Sequence, residues 1–250
     1  AMFIGIKGAN FDGNTFVEKA LEQGCKYAIT DNAEIGVGNP NIIHVEDSLK
    51  TLQDLAHYHR MMFDIPVIGI TGTNGKTTTT FLIKQILEYA GQKVGLIGTN
   101  QNMIGQEIIE TSRTTPDSFE LQALFAKMAE AKVDTVVMEV SSHALYLDRV
   151  YGCDFDIGVF TNLTQDHLDF HKTMDEYCDA KAMLFGRCDK AVINVDDNYA
   201  PRMLARADCD TLRTSAYDGD LYAKDAVLHP GELTLRPNMG YADIVEALQA

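Results

Sequence analysis

The chain has 250 residues, 46% of them hydrophobic, and a formal net charge of −15 at pH 7, so it can build a substantial core, while its acidity argues against nucleic acid and acidic membranes as partners. Its five cysteines are odd in number and include no Cys-x-x-Cys pair, which indicates neither a zinc site nor a disulfide framework and favours a reducing, cytoplasmic setting. No apolar run reaches about eighteen residues and no charged-then-apolar leader opens the chain, so we expect neither a membrane span nor a secretion signal.

Short β-like runs alternate with helical ones over residues 1–64, which predicts a small α/β domain. The elements expected here are a strand at 3–6, a helix at 16–23, strands at 26–30 and 42–45, and a helix at 48–63.

Over residues 65–250 the alternation is longer and more regular, which predicts a second α/β domain with a doubly wound, mostly parallel sheet. Strands are expected at 66–70, 93–97, 133–139, 155–161 and 190–195, and helices at 77–90, 117–131, 143–150, 172–186 and 198–207. Two short strands over 221–236 and a helix over 241–249 complete the prediction. Because ligands gather at the carboxyl ends of strands in such sheets, polar clusters that follow strands are candidate sites.

The most informative segment is residues 69–77, Gly-Ile-Thr-Gly-Thr-Asn-Gly-Lys-Thr, between a strand-like run and an amphipathic helix. Its glycines allow a tight turn that aims backbone N–H groups and a helix N-terminus at negative charge. Lys76 supplies a mobile cation for the β- and γ-phosphates, and Thr77 supplies a hydroxyl for Mg²⁺. Position 70 is Ile where the strict phosphate-loop pattern has its first glycine, so this variant loop predicts ATP binding; a Gly/Thr-rich turn without a ligand is the alternative.

Two polar clusters follow later strands. Glu139 comes directly after an apolar run, where it either holds Mg²⁺ beside Thr77 or is an ordinary capping or ion-paired acid. Residues 166–171, Asp-His-Leu-Asp-Phe-His, interleave acids and histidines, which suggests metal or phosphate chemistry or else a helix start with Asp166 as its N-cap.

Two further groups are ambiguous from sequence alone. Lys181 sits beside apolar residues of an expected helix, where partial desolvation would let it lose its proton and react with CO₂, although a snorkelling surface lysine is the more usual interpretation. The turn at 112–117 carries Arg113 and hydroxyls that could touch an anionic substrate, but a helix cap by Asp117 is the simpler interpretation.

Read in order, four motifs closely resemble the Mur ligase family: residues 71–77, 114–117, 138–145 and 166–171, followed by Ala-Lys-Ala-Met-Leu-Phe at 180–185. The resemblance covers nearly the whole chain and is strongest to the branch that adds the third peptide residue. It implies an ATP-dependent amide ligase of peptidoglycan synthesis that works through an acyl phosphate. The implied partners are UDP-N-acetylmuramoyl-L-alanyl-D-glutamate and an amino acid, with neither nucleic acid nor membrane.

The resemblance also implies roles for individual positions. The positions that would bind ATP are Gly72, Thr73, Asn74, Gly75, Lys76, Thr77 and Thr78. Those that would hold Mg²⁺ are Thr77, Glu139, His167 and Lys181, the last as a carbamylated side chain, and catalytic roles would fall on Lys76, His167 and Lys181. Those that would hold the UDP-muramoyl dipeptide are Thr114, Thr115, Ser142 and Arg149.

Departures from the family lead us to expect a fragment. Family members have three domains, and the resemblance assigns 1–64 to part of the N-terminal UDP-substrate-binding domain and 65–250 to an incomplete central ATP-binding domain, with the C-terminal ligase domain absent. One alternative is another Mur-type ligase, either terminal-dipeptide-adding or similar to folylpolyglutamate synthase. The others are a phosphate-loop switch or binding module of another class, and a fragment that binds nucleotide or UDP-sugar without ligation.

Overall fold

The computed structural model of the protein describes residues 1–8, 10–229 and 232–238. The chain divides into two compact units, Ala1–Met62 and Phe63–Ala250. The helix expected over 241–249 lies outside the described residues. The roles of the two units as substrate-binding and nucleotide-binding domains stay predictions.

The first unit is a small α/β structure. Its elements are β1 (Met2–Ile4), a 3₁₀ turn (Gly13–Phe16), α1 (Val17–Glu22), β2 (Tyr27–Thr30), β3 (Ile42–His44) and α2 (Ser48–Arg60). The three strands are parallel, in the order β1-β2-β3, and a core of Val17, Ala28 and Ile42 packs α1 against them. The predicted helix at 16–23 is preceded by the 3₁₀ turn because the Asp12 carboxylate accepts from the Asn14 amide and starts the turn early.

The second unit has a single sheet. Its strands are β4 (Val67–Thr71), β5 (Val94–Ile97), β6 (Asn102–Ile104), β7 (Glu107–Ile109), β8 (Thr135–Glu139), β9 (Phe155–Phe160), β10 (Cys188–Asn194), β11 (Asp210–Ser215), β12 (Leu221–His229) and β13 (Glu232–Pro237). Its helices are α3 (Lys76–Tyr89), α4 (Ser118–Glu130), α5 (Ser142–Tyr146), α6 (Leu168–His171), α7 (Met174–Ala182), a 3₁₀ turn (Met183–Gly186) and α8 (Ala200–Arg206).

The strand order is β13-β12-β11-β10-β9-β4-β8-β5-β6-β7, and the pairs from β12 to β5 are parallel. The predicted mostly parallel sheet is therefore confirmed. The antiparallel hairpin β6–β7 extends one edge and β12–β13 the other. The sequence pattern does not predict β6, β7 or β11, because three-residue strands and the mixed polar run of β11 carry too little periodicity.

Helices cover both faces of this sheet, as the doubly wound prediction requires. On one face Ile70 and Val137 pack with Ile83 and Leu87 of α3. Alternate residues of the same strands, including Val136 and Met138, pack on the other face in a larger cluster with Leu121, Phe125 and Met128 of α4. Successive strand side chains point to opposite faces, so one apolar run serves both helix layers.

The strand order fixes where polar loops meet. Strand β4 lies between β8 and β9, and these three parallel strands end at Thr71, Glu139 and Phe160. The segments after them therefore emerge side by side at one edge of the sheet.

Helix caps near that edge follow the sequence in one case and not in another. Asp117 caps α4, since its carboxylate accepts from the Glu120 amide, as predicted. The prediction of Asp166 as an N-cap is wrong: the cap position of α6 is His167 at φ 52°, and the Asp166 carboxylate bonds the His167 amide instead. Within the part of the chain that the structure describes, no helix is both long and apolar enough to cross a membrane.

Gly69 in β4 is required by close packing. A Cβ at this position would lie 2.6 Å from the Phe155 ring and 3.2 Å from Val140, both fully buried. We expect G69A to lower the free energy of unfolding by about 1–3 kcal/mol, because the ring has no space to move into. Urea unfolding measures the change. G186A is the control, since its Cβ meets only ordinary contact at 3.4 Å and should change stability by less than about 0.5 kcal/mol; equal effects would contradict the packing argument.

Candidate functional site

A cavity of about 230 Å³ opens at the edge where β4, β8 and β9 end. It is lined by residues from six separate segments of the second unit: residues 73–78, Thr99, Thr114, Glu139, Ser141, Ser142, His167, Tyr177 and Lys181. The polar residues that follow β4, β8 and β9 therefore meet at this cavity, and their functional roles stay predictions.

The glycine-rich loop has the backbone shape that an anion site needs. Gly72 has φ 144° and Gly75 has φ 86°, conformations that side chains rarely adopt. A Cβ on Gly72 would also lie 2.0 Å from the Thr161 hydroxyl. Gly75 is the N-cap of α3 and offers no side-chain cap, so the first amides of the helix have no intrahelical acceptor and face an incoming anion.

The segment after β9 fixes the loop from the side. The Asn162 carbonyl accepts from the Thr73 amide at 2.8 Å, and its side chain accepts from the Asn74 amide at 3.0 Å. The Thr161 hydroxyl donates to the Asn74 carbonyl at 2.7 Å. The amides of Thr73 and Asn74 are thus already used, which leaves the amides at the start of α3 for a ligand. Sequence reasoning misses Asn162, because an asparagine after a strand carries no signal of its own.

Lys76 lies folded over the loop. Its ammonium group donates to the Gly72 carbonyl at 2.8 Å and to the Thr73 carbonyl at 2.9 Å. Burial lowers the pKa of Lys76, while the charges of Glu139 and Asp166 oppose that shift. The ammonium is therefore held at the loop by neutral carbonyls, which an anionic ligand can replace.

Glu139 is a buried carboxylate with three donors. It is 1% exposed, and it accepts from the Thr77 hydroxyl at 2.9 Å and from the Thr99 amide and hydroxyl at 3.0 and 2.9 Å. A carboxylate beside a hydroxyl suits Mg²⁺, which prefers oxygen ligands. Among the described residues no group of three or more His, Cys, Asp and Glu could hold a metal, so the fit is to an ion completed by water and phosphate oxygens.

Lys181 is not the surface lysine that the usual interpretation expects. It is 1% exposed, and its ammonium group donates to the Gly72 carbonyl at 2.8 Å, the same carbonyl that accepts from Lys76. Burial, and next the charge of Lys76, lower the pKa of Lys181 to about 7. A substantial fraction of the amine is then neutral near neutral pH, and the neutral amine is the nucleophilic form.

His167 lies at the rim of the cavity. Its left-handed backbone turns the half-exposed ring toward the cavity, 5.0 Å from the His143 ring and with Nε2 3.5 Å from the Asp166 carboxylate. An imidazole in this place is accessible to an ion or a phosphate oxygen.

Of the four positions predicted to hold the UDP-linked substrate, the structure brings two to the cavity. Thr114 and Ser142 line it. Thr115 is 1% exposed and its hydroxyl donates to the Glu139 carbonyl at 2.9 Å, while Arg149 reaches the Thr115 carbonyl at 3.5 Å, and neither lines the cavity. Their predicted substrate contacts stay predictions, and their observed contacts brace the turn that presents Thr114.

His171 is a site residue that the sequence interpretation does not single out. It is 2% exposed, and its Nε2 lies 2.9 Å from the hydroxyl of Ser142. Burial, followed by the charges of His143 and Lys181, lowers the pKa of His171 to about 4. The ring is therefore neutral at pH 7 and orients the Ser142 hydroxyl at the cavity wall.

The comparisons with known proteins agree with this geometry. Residues 70–240, most of the chain, match the Mur ligase middle domain. The chain belongs to the Mur ligase family. A UDP-N-acetylmuramoyl-L-alanyl-D-glutamate--2,6-diaminopimelate ligase of Clostridium tetani is 48% identical over 245 residues, which cover 94% of this chain and 50% of that protein.

Solved structures give the same picture for this Mur ligase chain. A UDP-N-acetylmuramoyl-L-alanyl-D-glutamate--2,6-diaminopimelate ligase superposes with a TM-score of 0.80 at 30% identity, covering 94% of this chain and 50% of that one. The MurF ligase of Thermotoga maritima in complex with ADP has a TM-score of 0.64 at 23% identity over 94% of this chain and 52% of that one, a likeness of fold alone. The chain spans about half the length of the curated relatives it matches.

We expect His171 to make the stability of this Mur ligase chain depend on pH. Its pKa is about 4 in the folded protein and about 6.5 when exposed, so between these values the unfolded state binds more protons and stability falls as the pH drops. H171Q removes the titration and should flatten the slope by up to about 1.4 kcal/mol per pH unit. Urea unfolding between about pH 6.5 and about pH 4.5 measures it.

The exposed Gln85 of α3 supplies the control for this measurement, because an amide side chain does not titrate. Q85A should keep the slope of the parent protein. Equal slopes for the parent and H171Q would show that the buried ring does not resist protonation.

Proposed function

We propose that this chain is the ATP-binding and substrate-binding part of a ligase that adds 2,6-diaminopimelate to UDP-N-acetylmuramoyl-L-alanyl-D-glutamate. The observation that carries the proposal is the single cavity that joins the phosphate loop, the buried Glu139 and the buried Lys181. The names of the relatives at 48% and 30% identity support the choice of diaminopimelate. The free cysteines support a cytoplasmic location.

ATP would bind with its β- and γ-phosphates against the first amides of α3. The Lys76 ammonium would leave the Gly72 and Thr73 carbonyls for the phosphate oxygens, since a charge-assisted bond to an anion is stronger than one to a neutral carbonyl. Before ATP binds, Asn162 would hold the loop in this shape, because it accepts hydrogen bonds from the amides of Thr73 and Asn74. The loop is preorganised, so little ordering is needed on binding.

Thr77 and Glu139 would hold Mg²⁺, with His167 and a carbamylated Lys181 as further ligands. When bound, Mg²⁺ supplies positive charge to the phosphates and to the reacting carboxylate. The Thr99 amide and hydroxyl fix the orientation of the Glu139 carboxylate, so its oxygens are placed before the ion arrives.

Lys181 would carry a carbamate. Its ammonium group first loses one proton to solvent. The neutral amine then attacks CO₂, a C–N bond forms as one C–O π bond opens, and a second proton leaves, so that a cation has become an anion. The pKa of about 7 supplies the neutral amine for this step. The change also removes the repulsion between Lys181 and Lys76, which meet at the Gly72 carbonyl.

The reaction would form an amide in two displacements. The D-glutamyl carboxylate attacks the γ-phosphorus, an O–P bond forms, and the bond to ADP breaks in line. The amine of diaminopimelate then attacks the acyl phosphate, a C–N bond forms, and inorganic phosphate leaves while the amine loses a proton. Lys76 offsets the charge on the phosphates, and Thr114 and Ser142 orient the substrate carboxylate, so catalysis is mainly positioning and charge neutralisation.

We expect the full-length protein to release phosphate from ATP only when the UDP-linked dipeptide and diaminopimelate are both present. K76A should lower this rate by at least about a hundredfold, because the transferred charge loses its cation. K127A, which removes an exposed lysine from α4, should leave the rate unchanged. A coupled phosphate assay measures all three proteins.

The acceptors distinguish the alternatives. L-Lysine in place of diaminopimelate tests the amino acid, D-alanyl-D-alanine with the UDP-linked tripeptide tests the terminal-dipeptide reaction, and a folate with glutamate tests the folylpolyglutamate reaction. Release without any acceptor would instead favour a nucleotide-dependent switch, and retained turnover in K76A would contradict the role of the loop.

We also expect Lys181 to take up CO₂. In ¹³C-bicarbonate the parent protein should show one protein-bound carbamate signal by NMR, and K181A should lack it. Activity of K181A should return in part with short carboxylic acids, which replace the missing anion. A parent protein without the signal, and K181A without rescue, would count against the carbamate.

A further inference from the structure

Tyr177 has no part in the reaction described above, yet it is buried at its centre. It lies on α7, one helical turn before Lys181, lines the cavity and is 1% exposed. Residues four apart share a helix face, so the Tyr177 ring and the Lys181 side chain point the same way. The ring centroid lies 4.5 Å from the Lys181 ammonium nitrogen.

The Tyr177 hydroxyl reaches the phosphate loop. Its oxygen lies 3.2 Å from the Thr73 hydroxyl oxygen. That oxygen also accepts from the Thr164 amide at 3.0 Å, and it donates its single proton to the Thr164 carbonyl at 3.1 Å. The Thr73 hydroxyl therefore has no proton left for Tyr177 and can only accept. The Tyr177 hydroxyl is the donor of the bond between them.

Two side-chain hydrogen bonds among the described residues join α7 to this loop. One runs from the Lys181 ammonium to the Gly72 carbonyl, and the other from the Tyr177 hydroxyl to Thr73. The first depends on the chemical state of Lys181, because an ammonium has three protons to donate and a carbamate nitrogen has one. The second does not depend on that state.

On the other side the Tyr177 ring packs on the substrate wall. Its centroid is 5.3 Å from the His171 ring, with the planes 35° apart, and His171 bonds Ser142. One rigid ring therefore touches the loop, the reactive lysine and the histidine behind Ser142.

We infer that Tyr177 is a positioning residue that holds the phosphate loop in register with Lys181 through its bond to Thr73, whether or not Lys181 is carbamylated. The inference rests on the proposed function for its catalytic meaning. Its physical content, a bond that keeps the empty loop in the shape that receives phosphate, is independent of the acceptor.

The first test is amide hydrogen exchange of the ligand-free protein. In Y177F the peptide that contains residues 72–77 should exchange about fivefold faster than in the parent, as expected for the loss of one hydrogen bond. Y146F is the matched control: Tyr146 belongs to the same aromatic cluster, its side chain is exposed, and its ring contacts survive the substitution. It should exchange like the parent.

The second test is the dissociation constant of ADP by calorimetry, which needs no acceptor. Y177F should weaken ADP binding about fivefold. T73V should weaken it at least as much because it also loses the two bonds to Thr164, and the double variant should bind no more weakly than T73V alone. In the active enzyme the KM for ATP should rise by the same factor, while the KM for the UDP-linked dipeptide stays constant. A purely structural loss lowers the active fraction without moving one KM alone.

The outcomes separate this inference from the proposed function. Parent-like exchange and ADP affinity in Y177F would overturn the inference, as would fully additive effects of T73V and Y177F. Thermal melting identifies any variant that fails to fold, and in that case Y177M, which keeps an apolar side chain without the hydroxyl, takes the place of Y177F. A parent protein that binds ADP but never ligates would overturn the ligase proposal, while the exchange and affinity of Y177F would still decide the role of Tyr177.

Discussion

The shape of the glycine-rich loop is the constraint on which the candidate site depends. A loop that presents amides to an anion cannot satisfy its own backbone by those same amides, so other groups must hold it. Here Asn162 and Thr161 do so, with bonds of 2.7 to 3.0 Å to Thr73 and Asn74. The requirement explains why the segment after β9 must lie beside the one after β4, and the strand order provides that neighbour.

The second feature that organises the site is charge. The protein carries a net charge of −15, yet the half-buried Lys76 and the buried Lys181 line one cavity and share the Gly72 carbonyl. Burial lowers the pKa of both, and the charge of Lys76 lowers the pKa of Lys181 further. An anionic ligand would relieve this repulsion, so that an acidic protein would be able to bind an acidic ligand at this one place. The overall charge governs long-range attraction, while these two side chains govern the cavity.

The sequence predicts the residues of this site whose chemical type or motif is distinctive. It does not predict the residues whose role depends only on which neighbours they contact in the fold. The phosphate loop and Glu139 follow strands, so topology alone predicts that they converge. Lys181 was assigned to the site only through the family resemblance, because its neighbours alone favour a surface lysine. The roles of Asn162 and Thr99 could not be predicted, and His171 was noted only as a member of the 166–171 cluster, because a polar residue is recognised as a brace only when its partner is known. Asp166 shows the opposite error: a good N-cap residue lost that position to His167, whose left-handed backbone no propensity scale anticipates.

The hairpin β6–β7 extends away from the candidate site, while the segments before and after it stay beside Glu139. The chain leaves the site after Thr99, runs out along β6 and back along β7, and re-enters at Thr114, whose hydroxyl oxygen lies 3.0 Å from that of Thr99. Entry and exit are thus tied together next to Glu139. An excursion closed at its base in this way tolerates insertion or deletion at its tip, since loop length adds only slowly to the entropy of closure. Insertions or deletions at this tip would therefore leave the neighbours of the Glu139 carboxylate in place.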